Sequence, residues 1–134
     1  MLTLVGIPEA RRRLRDCGNV DVRRGDLEAL PIADGELTAA TLMLVLHHVP
    51  GPAEALREAA RAIRPGGRLV ICDMLPHDRE EYRQQMGHVW LGFAEAQITT
   101  LLGDAGFGGT RVAALPTSTD AKGPALFVAS ATRQ

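Results

Sequence analysis

Residues 50–73 read Pro50-Gly51-Pro52-Ala53-Glu54-Ala55-Leu56-Arg57-Glu58-Ala59-Ala60-Arg61-Ala62-Ile63-Arg64-Pro65-Gly66-Gly67-Arg68-Leu69-Val70-Ile71-Cys72-Asp73. Leu56, Ala59, Ala60 and Ile63 recur at the spacing of one helical face. Pro50-Gly51-Pro52 opens this helix and Pro65-Gly66-Gly67 closes it, proline before the start and glycine after the end. Leu69-Val70-Ile71-Cys72 follows at once, apolar throughout and ending at Asp73, and predicts a strand. A helix that feeds directly into such a strand is the repeating unit of a mostly parallel sheet carrying helices.

The same alternation extends in both directions. Ala39 to Leu46 is apolar except for Thr41, which predicts a strand covered on both faces. Leu2 to Ile7 predicts another strand, Pro8 opens a short Arg-rich helix over Glu9 to Asp16, and Val20 to Arg23 alternates like a half-buried edge strand. Downstream, Asp78 and Glu81 have capping-box spacing, and Tyr82, Met86, Val89 and Trp90 form an apolar helical stripe. Gly92-Phe93 interrupts it. Ile98, Leu101, Leu102 and Ala105 then mark a further helix ended by Gly106. Arg111 to Ala113 and Ala125 to Ala129 close the chain as a pair of strands, antiparallel because the loop between them is short.

The chain has 134 residues, and its 15 basic and 16 acidic residues leave a net charge of −1. That length suits one domain over 1–134, and the balance excludes a broadly basic nucleic-acid surface. The basic run Arg11-Arg12-Arg13, Arg15 and Arg23-Arg24 lacks interleaved aromatics and reads as a solvated face. No apolar run is long enough to cross a membrane as a helix. Cys17 and Cys72 form neither a CxxC pair nor a disulfide framework, so a cytoplasmic location is expected.

In parallel sheets ligands bind beyond the carboxyl ends of strands, so Gly25-Asp26, His47-His48 and Asp73 to His77 are the residues to weigh. The Asp26 carboxylate can accept a hydrogen bond from an exocyclic amine, or it can cap the turn before Leu27. A histidine at position 47 or 48 can orient a ligand, act as a base or sit at the rim of the sheet. Neighbouring histidines on a strand point to opposite faces, so the two are not expected to share a site. Zinc would need three or four converging ligands; only Cys72, Asp73, His77 and His88 are candidates, and no metal is expected. His77, Tyr82 and His88 share a segment that can cover a pocket, while Tyr82 and Trp90 at helical spacing also fit plain packing.

Three stretches together resemble the class I S-adenosylmethionine-dependent methyltransferases of small-molecule type. They are Asn19 to Pro31, Leu42 to Val49 and Ala60 to Ile71, the last carrying the helix-Arg-Pro-Gly-Gly-strand signature. Asp73 to Phe93 resembles the methyltransferase half of winged-helix regulator fusions. The resemblance implies a Rossmann-like α/β sheet with helices on both faces and an antiparallel C-terminal hairpin. It also implies S-adenosyl-L-methionine as cofactor and a small-molecule methyl acceptor as substrate. By the same resemblance Asp26 contacts the adenine amino group and Leu27 lies near its ring. Leu46 and His47 line the methionine end with His48 beside them, and His77, Tyr82 and His88 face the acceptor.

Two departures accompany the match. The family's first strand and glycine-rich loop are missing, since the only glycines before position 30 are Gly6, Gly18 and Gly25. The acidic residue after the family's second strand is replaced by Ile7-Pro8. Residues 1–7 could fill the central strand position, a partner chain such as a second copy could supply it, or the sequence could be an N-terminally truncated fragment, which the intact remaining motifs favour. The missing loop predicts weak or no S-adenosylmethionine binding by the isolated chain. The competing reading is a non-catalytic sensor or interaction module built on the same fold. A nicotinamide-dependent oxidoreductase fits poorly, because Tyr82 and Lys122 lack the spacing it needs.

Overall fold

In the computed structural model, which describes residues 2–5, 12–85, 89–116 and 123–134, residues 52–74 form helix α2 (Pro52–Ala62) and strand β4 (Ile63–Met74). Pro52 sits in the first turn of α2, and Ala55, Leu56, Ala59, Ala60 and Ala62 are buried along one side. The helix ends one residue earlier than its periodicity suggests. Ile63 is extended and pairs with Leu37, while Pro65 disfavours helical backbone at Arg64. Pro65-Gly66-Gly67 therefore lies inside the strand, where the pairing slips between Leu37 and Ala39 and Gly66 takes φ 83°.

The remaining elements are β1 (Leu2–Val5), a helix α1 described over residues 12–14, β2 (Val20–Arg23), β3 (Leu37–Met43), α3 (Glu81–Gln85), α4 (Glu95–Ala105), β5 (Phe107–Ala114) and β6 (Leu126–Arg133). Four strands form one sheet in the order β3-β4-β6-β5, with β3 and β4 parallel and β6 antiparallel to both neighbours. This bears out the α/β class and the antiparallel C-terminal hairpin. Helix α4 ends at Gly106 in the left-handed conformation, φ 103°, as its position after the last periodic residue suggests. Leu56, Ile71, Ile98, Leu102 and Phe127 from α2, α4 and the sheet meet in one core.

One of the three alternatives for the central strand is removed, and one expectation is corrected. β1 pairs with β2 in a separate two-stranded parallel sheet, Leu2 opposite Val20 through Val5 opposite Arg23, so residues 2–5 do not fill a central position beside β3. β3 is consequently an edge, and it is not covered on both faces: Ala39, Thr41 and Met43 are exposed, Met43 by 59%. An apolar run marks a strand, but alternation within it decides which residues are covered, and here only Leu37, Ala40 and Leu42 pack against the core.

Arg61 of α2 clamps the connection from β2 to β3. Its guanidinium donates to the carbonyls of Leu30 and Ile32 at 3.3 and 2.8 Å and pairs with Asp34 at 2.6 Å and Glu58 at 2.5 Å. Glu58 also accepts the Leu30 N–H at 3.0 Å.

Substituting Gly67 tests the irregular start of β4. A side chain there would stand 2.7 Å from the Thr38 carbonyl oxygen and 2.4 Å from Ile63 Cγ2. Gly67→Ala should lower stability by about 1–3 kcal/mol, seen as a lower urea midpoint at unchanged slope. The clamp gives a pH prediction. The hydrogen bond from Arg61 holds the Glu58 carboxyl below the usual carboxylate range, against the opposing effect of burial. A lowered folded value means that this stabilisation is full above the ordinary glutamate value of 4.5 and is lost as pH falls through the folded value. Glu58→Gln should flatten that acid limb in denaturation measured across pH, and an unchanged acid limb would count against the clamp.

Candidate functional site

Strand β3 stops at Met43 because Leu44 turns into the left-handed region at φ 57°. For a leucine this costs about 1–2 kcal/mol, and the Leu44 N–H is held by the Cys72 carbonyl at 2.8 Å. The chain then winds into a 3-10 helix, Leu46–His48. Strand alternation therefore does not apply to the two histidines. Their rings lie together, centroids 4.2 Å apart, rather than on opposite faces.

The group that fixes this turn is Asp73, at the carboxyl end of β4. Its side chain is wholly buried. Oδ1 accepts from His47 Nδ1 at 2.6 Å and from the Met74 N–H at 2.7 Å, and Oδ2 accepts from the His47 backbone N–H at 3.2 Å. Three donors thus compensate one buried carboxylate. His47 is itself only 2% exposed, and Leu46 is fully buried in the core, which leaves Leu46 only its backbone to face a ligand. His48 is exposed.

A strap over residues 89–93 crosses these strand ends. The Val89 and Trp90 N–H groups donate to the His47 carbonyl at 2.9 and 3.0 Å, and Phe93 N–H donates to the Met74 carbonyl at 2.9 Å. His77 N–H donates to the Leu91 carbonyl at 3.1 Å. Gly92 takes φ 88°, and a side chain there would stand 2.2 Å from the Leu75 carbonyl oxygen, so only glycine fits. Helix α3 is described as far as Gln85, and the amides of Val89 and Trp90 donate to the His47 carbonyl instead of continuing a helix. Trp90 donates Nε1–H to the Val49 carbonyl at 2.9 Å and packs against Phe93. Asp78 contributes its carbonyl to the Glu80 N–H rather than a side-chain cap. Met86 and His88 lie outside the described residues.

His77 and Tyr82 are brought together, ring centroids 5.4 Å apart. Arg79 donates its N–H to His77 Nδ1 at 3.2 Å and its Nη1–H to the Tyr82 hydroxyl at 2.9 Å. The structure thus joins His47, His48, His77 and Tyr82 through the strap and Asp73. Asp26 stands apart from that group, beyond the end of β2.

Asp26 stands exposed just after β2, in a turn closed by its own carbonyl and the Ala29 N–H at 3.0 Å. Among the described residues its carboxylate takes part in no hydrogen bond or ion pair and is open to a ligand. Leu27 is half-buried against the core. Gly25 is explained locally, since a side chain there would stand 2.6 Å from the Pro31 ring. Asp73 is the residue that sequence reasoning undervalued, as a strand end and candidate metal ligand; an acid closing an apolar strand was the only signal.

Residues 4–71, just over half of the chain, match the family described as a methyltransferase domain. The chain belongs to that family. This methyltransferase domain is 48% identical over 65 residues to an uncharacterised 37.1 kDa protein of a Streptomyces fradiae transposon, covering 48% of the chain and 19% of that protein. It is 49% identical over 49 residues to a demethylmenaquinone methyltransferase of Mycolicibacterium vanbaalenii, covering 37% of the chain and 22% of the relative. The chain spans about a fifth of the length of these curated relatives. In fold it is similar to an S-adenosylmethionine-dependent methyltransferase from Mesorhizobium loti, with TM-score 0.79 at 20% identity, covering 98% of this chain and 79% of the other.

Removing the Asp73 carboxylate should be costly. Asp73→Ala leaves His47 and two backbone amides without their acceptor and should destabilise the domain by about 3–5 kcal/mol. In a double-mutant cycle with His47→Ala, urea denaturation should return a coupling of about 1.5–3 kcal/mol. Additive effects would show that the pair does not act together.

Proposed function

We propose that this chain provides part of a site for methyl transfer from S-adenosyl-L-methionine to a small-molecule acceptor. One observation carries the reading. The family match spans β1 to β4, and the carboxyl-end loops of β2 and β3 hold Asp26, Leu27 and the turn Leu44–His48. When bound, the cofactor would supply an electrophilic methyl group on a sulfonium. The uncommitted Asp26 carboxylate suits the exocyclic amine of adenine, and the half-buried Leu27 offers an apolar surface beside it. The Leu44–His48 turn would take the methionine end, with Leu46 contributing backbone, His47 holding the turn in place through Asp73 and the strap, and His48 its exposed ring. His77 and Tyr82, with His88, would face the acceptor.

Such a displacement requires alignment and exclusion of water more than a covalent catalyst. The site suits that demand, because the strap and Asp73 fix its backbone while few side chains are left to react. The quinone-pathway name of the Mycolicibacterium relative supports a small organic acceptor. The commitment of the His47 ring to Asp73 supports the second reading, a ligand-sensing or interaction module that does not transfer methyl.

Calorimetric titration of the chain with S-adenosylhomocysteine tests the proposal. Without a glycine cradle the expected dissociation constant is about 0.1–1 mM, and Asp26→Ala should weaken it about fivefold to tenfold. Failure to bind, or binding indifferent to Asp26, would overturn the reading in favour of the second one.

A further inference from the structure

We propose that the Nε2–H of His77 recognises a hydrogen-bond-accepting oxygen of the methyl acceptor, with the Tyr82 ring as the wall beside it. The inference rests on the methyl-transfer reading above. It starts from a donor that the fold leaves without an acceptor. His77 Nδ1 accepts the Arg79 N–H at 3.2 Å, and a ring nitrogen that accepts carries no hydrogen. The hydrogen of the imidazole therefore sits on Nε2. That atom is buried and, among the described residues, has no hydrogen-bond partner. A buried donor left unmatched costs about 1–3 kcal/mol, and folded proteins tolerate few of them outside functional sites.

The surroundings define what would satisfy it. Tyr82 presents its ring to His77 at 5.4 Å, tilted 59°. The Tyr82 hydroxyl already accepts from Arg79 Nη1, and the Arg79 guanidinium lies 5.6 Å from the ring centre, so Tyr82 is held in place. The His77 backbone is fixed to the strap through Leu91, the same strap that is fixed to His47. The position is therefore rigid, next to the strand ends, flanked by an aromatic face and a cation. A donor facing a ligand can be matched only by an acceptor. A carbonyl, phenolic or enolic oxygen on a flat ring fits this pair, and a molecule presenting only N–H groups does not.

Imidazole proton–nitrogen spectra of the full chain, with histidine labelled in nitrogen-15, test this. Phenol and acetophenone serve as oxygen-bearing probes and toluene as the oxygen-free control. His77 should show the Nε2–H tautomer, and both oxygen probes should shift its Nε2 resonance saturably while toluene does not. His77→Phe should weaken phenol binding about tenfold, equivalent to about 1.4 kcal/mol, and His77→Gln, which keeps an N–H donor, should retain part of the affinity. An Nδ1–H tautomer, an equal response to toluene, or phenol affinity unchanged in His77→Phe overturns the proposal. Titration with S-adenosylhomocysteine separates the two failures. If it binds while His77 ignores the oxygen probes, only this subsite falls; if it does not bind, the methyl-transfer reading falls with it.

Discussion

A single buried carboxylate holds the strand ends together. Asp73 lies at the end of β4, where burial of an unpaired charge would cost several kcal/mol, on the order of 3–5. Its three donors all come from the turn and strand that meet there: the His47 side chain, the His47 amide and the Met74 amide. The consequence is a chain of fixed positions. Asp73 fixes His47, the His47 carbonyl holds Val89 and Trp90, and the following residue, Leu91, holds the backbone of His77. Removing the carboxylate would loosen a set of residues spread over nearly fifty positions of sequence, although none of the later ones touches it directly.

The same end of the sheet carries the strain. Leu44 takes a left-handed backbone that suits glycine, and Met43 and Leu44 are exposed by 59% and 42%. Neither feature is what burial alone would select. The exposure accompanies the place of β3 at the sheet edge, with β4 on one side only and β1 and β2 in their own sheet, and the Leu44 backbone turns where the chain leaves that sheet. An edge strand keeps its outer amides and carbonyls for water, so β3 gains its stability from one ladder and from Leu37, Ala40 and Leu42. The turn at Leu44 is tolerated because Cys72 and Asp73 hold the backbone on both sides of it.

Local patterns made much of this fold legible. Helix α2, helix α4 and the strands β4, β5 and β6 follow from periodicity and from proline and glycine at their ends, because those signals act within a few residues. Helix α4 stops at Gly106 for the same local reason. The errors share a different cause. Tyr82 lies in a helix as its spacing suggests, but a carbonyl some forty residues upstream takes the amides of Val89 and Trp90 out of that pattern. Ala39 to Leu46 looks like one covered strand, yet the chain leaves the sheet at Leu44 to bring His47 to Asp73. Gly25 is required locally, because a side chain there would stand 2.6 Å from the Pro31 ring, a contact between loop residues that no periodicity announces.

The two adjacent histidines illustrate why residue type alone does not assign a role. On a strand, one would point into the core and the other out, and either could be the functional one. The 3-10 turn instead sets the rings side by side and separates them by environment. His47 is 2% exposed and spends its Nδ1–H on Asp73 and its backbone on Asp73 and the strap, so its chemistry is absorbed in holding the turn. His48 keeps its ring at the surface of the same turn. Burial and long-range hydrogen bonding thus divide one dipeptide into an anchor and an accessible group, and the anchor is what gives the accessible group a fixed position.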